Sequence, residues 1–437
     1  MSYPTKRPML GSLFTRPVSA LAGRIFYGWW IVILGSLINA VGGGIFFHGF
    51  TVLFLPLKND FHVSSAAISL LYAAGRLEGG FDSPIVGHLI SRCGPRAIII
   101  AGVSMAGGGL LLLSLAQNYW SFFFLYIFIV SLGYNAGFFH PVTTAVNNWF
   151  IRHRGVGFAW VSASANMGGM ILTPILSAII QDQGWQAGAI TAGIIILAIG
   201  LPAAIPIRRS PEAMGLRPDG GSVPHGLRGE LATGTDPAGV DFSVREALRT
   251  RAYWMLTGTI SLRLFITVAL NTHFVPIAVW GGMTETAAAY LVSLYAFGSI
   301  LATVALGWLG DRWSKPLLCG LGLVPMILAM GALLFTRTAP LLYFFALALA
   351  VAMGTAPLNW AVIGDFFGRR NYPTLRGLMG LSYGATTFLS PIYAGWVYDA
   401  TGSYSLVLLT FSVILLMTVC CFALVCVPPP PRHLGNA

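Results

Sequence analysis

The chain has 437 residues, of which 56% are hydrophobic and only 9% charged, against about 25% charged in an ordinary soluble domain. That balance excludes a soluble globular fold and points to a polytopic, all-α membrane protein. The net charge of +11 would suggest nucleic acid on a soluble surface, but its placement along this chain makes it an orientation signal, and no nucleic-acid partner is expected.

Residues 1–24 are basic, lack a short apolar core with a small-residue cleavage site, and read as a cytoplasmic tail. Apolar windows long enough to cross ~30 Å of hydrocarbon then recur. They fall at 27–57, 64–91, 95–117, 120–148, 155–180 and 185–207, then at 253–280, 286–310, 316–336, 339–366, 374–398 and 403–427. Twelve helices are therefore predicted, in two bundles covering 25–207 and 252–427. The segment 208–251 between them is rich in Pro, Gly and charge and reads as a flexible cytoplasmic linker, ending in a short surface helix at 243–250. Residues 428–437 read as a second cytoplasmic tail.

With both termini inside, all but four of the 25 Lys and Arg fall on the cytoplasmic side. The exceptions are Lys58 and Arg337 outside, and Arg76 and Arg263 within the membrane. The positive-inside rule thus sets the topology, in a plasma (inner) membrane. The five cysteines have no metal-like spacing and read as small apolar residues; no metal or cofactor is expected.

The second predicted helix carries Arg76, Glu78 and Asp82. A charge at mid-membrane costs from about 2.5 to well over 10 kcal/mol, so such residues face a protein interior or a water-filled path. Tyr72 and Arg76, four apart, share one face, and Glu78 and Asp82 share another. The helix thus offers a cation beside a phenol, and separately a pair of carboxylates that could carry protons. Arg263 stands near mid-depth in the seventh helix, with Asn271 further along. Its guanidinium can hold a carboxylate through two parallel hydrogen bonds, or serve as a structural partner of Glu78 or of a backbone carbonyl.

Asn135 and Tyr383 are further lining candidates, each of which could equally be a helix–helix contact. His48, His140 and His273 are single imidazoles. His140 is the best proton-coupling candidate of the three, because Pro141 frees a carbonyl beside it.

The halves repeat each other. Gly87, Leu89 and Arg92 are echoed by Gly307, Leu309 and Arg312. Phe150 and Arg152 are echoed by Phe367 and Arg369, and Pro174 precedes Asp182 at the separation at which Pro391 precedes Asp399. A duplicated six-helix unit with a midplane site between the halves is a transporter signature.

These residues resemble the major facilitator superfamily. Its loop motif, G-x-L-x-D-R-x-G-R/K, is matched by Gly87, Leu89, Arg92, Gly94 and Arg96, with Ser91 at the Asp position. The second copy keeps Gly307, Leu309, Asp311 and Arg312. Within the superfamily, Tyr27-Gly28-Trp29-Trp30, Trp149-Phe150 with Arg152 and Arg154-Gly155, and Asp365-Phe366-Phe367-Gly368-Arg369 resemble the monocarboxylate transporter and oxalate–formate antiporter branch. The resemblance implies the major facilitator fold, two pseudo-symmetric six-helix bundles that rock about a central site. It also implies a cytoplasmic latch made by the loop motifs through Gly87, Arg92, Asp311 and Arg312, with Asp365 and Asp82 as further gating candidates. Members of this branch place an Arg in helix 8 and a Lys in helix 1 or 11. Here those positions hold none, and the membrane cations are Arg76 and Arg263 instead.

The expected protein is a monomeric secondary transporter of a small organic anion, a monocarboxylate or small dicarboxylate. It would work by alternating access in the lipid bilayer with a proton or counter-anion as partner. Arg263, Arg76, Tyr72, Asn271, Asn135 and Tyr383 would bind the anion, and Glu78 and His140 would couple protons. An enzyme is not expected, since H-E-x-x-H does not occur. The alternatives are an exporter of drugs or cations, left open by Glu78 and Asp82, and a non-transporting carboxylate sensor, disfavoured by the short tails.

Overall fold

The computed structural model describes residues 26–63, 65–220 and 241–429, some side chains excepted, among them those of His48 and Tyr72. The twelve expected helices follow in order: α1 (27–60), α2 (Ser65–Cys93), α3 (Pro95–Leu113), α4 (Tyr119–Trp149), α5 (154–183), α6 (185–204), α7 (251–280), α8 (Glu285–Gly310), α9 (Lys315–Phe335), α10 (Ala339–Phe367), α11 (Tyr372–Thr401) and α12 (Ser405–Leu424). Gly184, at φ +87°, separates α5 from α6 in a conformation that side chains with a Cβ rarely adopt.

Several helices are interrupted, each for a local reason. In α10 the break falls at Thr355, and Pro357 has no N–H to give the Met353 carbonyl one turn earlier. In α7 it falls at His273, whose ring meets the Tyr404 hydroxyl and the Pro391 carbonyl. Turns of π-helix interrupt α1 at Gly44–His48 and α4 at Tyr126–Ser131.

Each half has its own apolar core, one built from α1–α6 and the other mainly from α7–α12. Among the described residues, nine segments are long and apolar enough to cross a bilayer by themselves, and together they include every helix except α2 and α11. Those two pack along each other across the halves. Glycines allow the approach: a Cβ on Gly80 would stand 2.8 Å from the Gly384 Cα, and Gly377 and Gly380 close on Ser83. The two helices least suited to lipid thus cover each other.

The linker is tied down on both sides of the undescribed 221–240. Asp219 accepts the backbone N–H groups of Ile151 and Arg152, just before α5. Asp241 accepts those of Arg369 and Arg370, just before α11. The expected surface helix is Val244–Leu248, opened by a Ser243–Glu246 capping box. The molecule therefore has a linker end, carrying these segments and the loop motifs, and a far end.

Candidate functional site

Between the halves lies a cavity of about 370 Å³, within the usual size range of small-ligand sites. Its walls come from α1, α2, α4 and α5 on one side and α7, α10 and α11 on the other. Of the residues singled out from sequence, Arg76, Asp82, Asn135, His140 and Tyr383 line it. Arg76 sits with its guanidinium 5.9 Å from the centre of the Phe47 ring.

Glu78 stands directly behind that wall. Its Oε2 accepts from Ser131 and from the Asn135 amide, both at 2.9 Å. Asn135 is thus committed to an acid rather than turned wholly to the cavity. Glu78 Oε1 and Asp82 Oδ2, one helical turn apart, are both buried acceptors that no other described group donates to. Two ionised carboxylates cannot bond each other, whereas a single proton held between them would satisfy both.

Arg263 and Asn271 stand elsewhere. Arg263 is fully buried and donates to the Ala352 and Met353 carbonyls and the Thr355 hydroxyl. It caps the break in α10, taking up the Met353 carbonyl that Pro357 leaves unpaired. That is the backbone-carbonyl arrangement, not a wall of the cavity. Asn271 is exposed toward the far end of α7. The side chains of Tyr72 and His48 lie outside the described residues.

The cation that sequence reasoning missed is Arg376. It lies in the second turn of α11, is 3% exposed, and lines the cavity. Its guanidinium carbon is 4.5 Å from the Trp360 ring centre and 4.9 Å from that of Phe139. It donates to the Thr143 hydroxyl across the interface, and no ion pair holds it among the described residues. Beside it, His140 Nε2 donates to the Pro373 carbonyl at 3.1 Å, which fixes the proton on Nε2, since a carbonyl only accepts.

Every hydrogen bond between the halves, among the described residues, lies at this floor or at the linker end. Asp311 accepts from the N–H groups of Gly155 and Val156, at 2.6 and 3.1 Å, at the start of α5. Burial pushes its carboxyl above the ordinary range, against the pull of those two donors and of the Lys315 and His153 charges. Asp365 pairs with Arg154 at 2.8 Å across the halves and with Lys315 at 2.6 Å in its own half. On the other side, Ser91 Oγ meets Thr374 Oγ1 at 3.0 Å, and Gly87 lies against Pro373.

The two motif arginines take no part in these cross-half bonds. Arg92 is exposed, and Arg312, in the turn after α8, stacks on Trp308 of that helix, 3.7 Å from the ring centre. Arg369 instead donates to the Asn148 carbonyl and to Glu212.

Two six-helix halves around a central cavity, latched at one end, define a membrane transport fold. The family model of the Major Facilitator Superfamily matches residues 46–281 and 264–437, and the chain belongs to that family. Among curated relatives it is similar to Monocarboxylate transporter 3 of Rattus norvegicus, 26% identical over 87% of this chain and 76% of that one. It is also similar to the uncharacterized MFS-type transporter YcxA of Bacillus subtilis (strain 168), 23% identical over 86% of this chain and 90% of that one. Among solved structures, the proton:xylose symporter XylE bound to 6-bromo-6-deoxy-D-glucose matches with a TM-score of 0.68 over 91% of this chain and 94% of that one, at 14% identity, a likeness of fold. The protein is an integral multi-pass membrane transporter of the superfamily, resembling its monocarboxylate transporter branch.

Proposed function

We propose that the protein moves a small monocarboxylate together with a proton by alternating access, its linker end facing the cytoplasm as the distribution of Lys and Arg implies. One observation carries this reading: Arg376, buried on the cavity floor between two aromatic rings, has no carboxylate for a partner among the described residues. A guanidinium in that setting calls for an anion, and a carboxylate answers it with two parallel hydrogen bonds. Arg76, from the other half, would then hold the substrate as the halves close on it. Arg376 takes the part that the sequence alone assigns to Arg263.

Charge balance favours a monocarboxylate. Among the described side chains Arg76, Arg376 and Asp82 line the cavity, with Glu78 behind it, and an acid pair that shares one proton leaves a net charge of about +1 there. A second proton on the pair would accompany the substrate, making the coupled load one anion and one proton. His140 is the weaker coupling candidate, because a proton added there would stand beside Arg376. Similarity to a monocarboxylate transporter supports the same substrate class.

The test is uptake of labelled formate, lactate, pyruvate, oxalate and succinate into proteoliposomes, with and without an inward proton gradient. The gradient should accelerate uptake of one of the monocarboxylates, and Arg376→Gln should reduce it at least a hundredfold in protein that remains folded. Glu78→Gln with Asp82→Asn should abolish the response to the gradient while leaving anion exchange. Unchanged uptake by Arg376→Gln would remove that residue from the site, and uptake indifferent to the gradient would make the protein an exchanger.

A further inference from the structure

Below Arg376, on the way to the linker end, lies a group of buried polar side chains that the reading above does not use. Asn147, near the end of α4, is fully buried, and neither its amide nitrogen nor its amide oxygen has a hydrogen-bond partner among the described residues. Arg154, the first residue of α5, is 2% exposed; it spends Nη1 on Asp365, and its Nε and Nη2 have no partner among the described residues. The Tyr372 hydroxyl is buried as well, within hydrogen-bonding reach of Thr143 and Arg376 and electrostatic reach of Arg154. Gly364 of α10 keeps the Asn147 and Arg154 groups in place, since a Cβ there would collide with Asn147 Oδ1 and stand 3.3 Å from Arg154 Cζ.

Buried polar groups in folded proteins are nearly always paired. Here two neighbours at the interface of the halves are not fully paired among the described residues, and their unused groups are mostly donors: two guanidinium nitrogens and a carboxamide. A donor-rich setting of this kind fits a small, acceptor-rich anion.

We propose that Asn147, Arg154 and Tyr372 form a second site for the transported carboxylate, receiving it from Arg376 as it passes toward the linker end. This rests on the organic-anion reading above and adds a site to it. The geometry also ties transit to gating. The Arg154–Asp365 bond crosses the halves, so a carboxylate arriving at Arg154 competes with Asp365. Once displaced, Asp365 keeps Lys315 of its own half as partner. The substrate thereby loosens one tie of the latch it has to pass.

The test compares full-length wild type, Asn147→Leu, Asn147→Asp and Arg376→Gln, with sodium formate as the probe and sodium chloride as the ionic-strength control. Thermal stabilisation by formate should saturate in two phases in the wild type. Arg376→Gln should lose one phase and Asn147→Leu the other, with formate exchange at least tenfold slower in Asn147→Leu. If the leucine variant does not fold, Asn147→Asp replaces it: its fixed carboxylate takes Arg154, and the same phase should vanish.

If Asn147 is merely an unpaired structural amide, leucine raises the melting temperature and leaves both phases and the exchange rate alone, which overturns the second site. Loss of a phase in Asn147→Leu with no change in Arg376→Gln would overturn the cavity assignment and leave the second site standing. No formate effect in the wild type would overturn the carboxylate chemistry of both.

Discussion

At the α5–α8 contact a carboxylate meets a helix N-terminus, whereas at the α2–α11 contact, the corresponding corner of the repeat, one hydroxyl meets another. Both corners begin with a glycine in close contact, Gly307 against Gly155 and Gly87 against Pro373. They differ in what the facing helix offers. The start of α5 presents two free N–H groups, at Gly155 and Val156, as an anion site. The start of α11 carries Pro373 where α5 has Gly155, second in the helix and against the motif glycine, and proline has no N–H to give. An Asp at position 91 would lack that donor, so Ser91, the one departure from the loop motif in the first copy, suits the proline it faces. One corner is thus a charged latch and the other a neutral hinge-like contact, and substitutions should separate them.

The largest effect belongs to Asp365. Asp365→Ala leaves Arg154 buried without a counter-charge, and breaking a buried pair costs 3–5 kcal/mol. Asp365 is 29% exposed, so water softens the loss and about 3 kcal/mol is expected, roughly a 150-fold shift toward the unlatched state. Faster hydrogen exchange at the Gly155 and Val156 amides reads that shift. Unchanged exchange would mean that Asp365 is not part of the latch.

Asp311 comes next. Asp311→Ala strands two buried N–H groups and should cost about 2 kcal/mol, roughly 30-fold in the same exchange rates. Asp311→Asn keeps an acceptor and should stay near wild type, because burial works against the charge itself. The pH dependence has a defined sign. The carboxyl is raised when latched and returns to about 3.9 when exposed, so the latched state binds the proton more tightly. Between those two values falling pH favours the latch, and above both there is no slope. Asp311→Asn should abolish the slope, and a slope that survives belongs to another group.

The same contrast indicates how far the sequence could be read. The repeat, the helix count and the polar character of α2 are legible because lipid imposes them locally. Arg376 was not, because it lies near the start of its helix and so counts among the charges at the cytoplasmic surface. Its burial comes from the other half, whose Phe139 and Thr143 close over it. Arg263 misleads in the opposite way. It is central in its own helix, but its partner is a carbonyl released by a proline in α10, 90 positions away. Depth along one helix is readable; which cation faces the cavity is a property of the assembled pair of halves.

The smallest effects fall on the neutral corner, where the explanation is most exposed to failure. Ser91→Ala removes one hydroxyl contact and should cost about 0.5–1 kcal/mol, a two- to fivefold rise in exchange at the Thr374 and Leu375 amides. Ser91→Asp should strengthen nothing, since Pro373 offers no donor and a carboxylate there only loses water. Adding Pro373→Ala supplies the missing N–H and should slow exchange at Thr374 relative to Ser91→Asp alone. The His140 bond to the residue 373 carbonyl is untouched by that change, so it serves as an internal control. If Ser91→Asp by itself tightens the corner as much as the double substitution, then the proline is incidental, and the asymmetry between the two latches needs another cause.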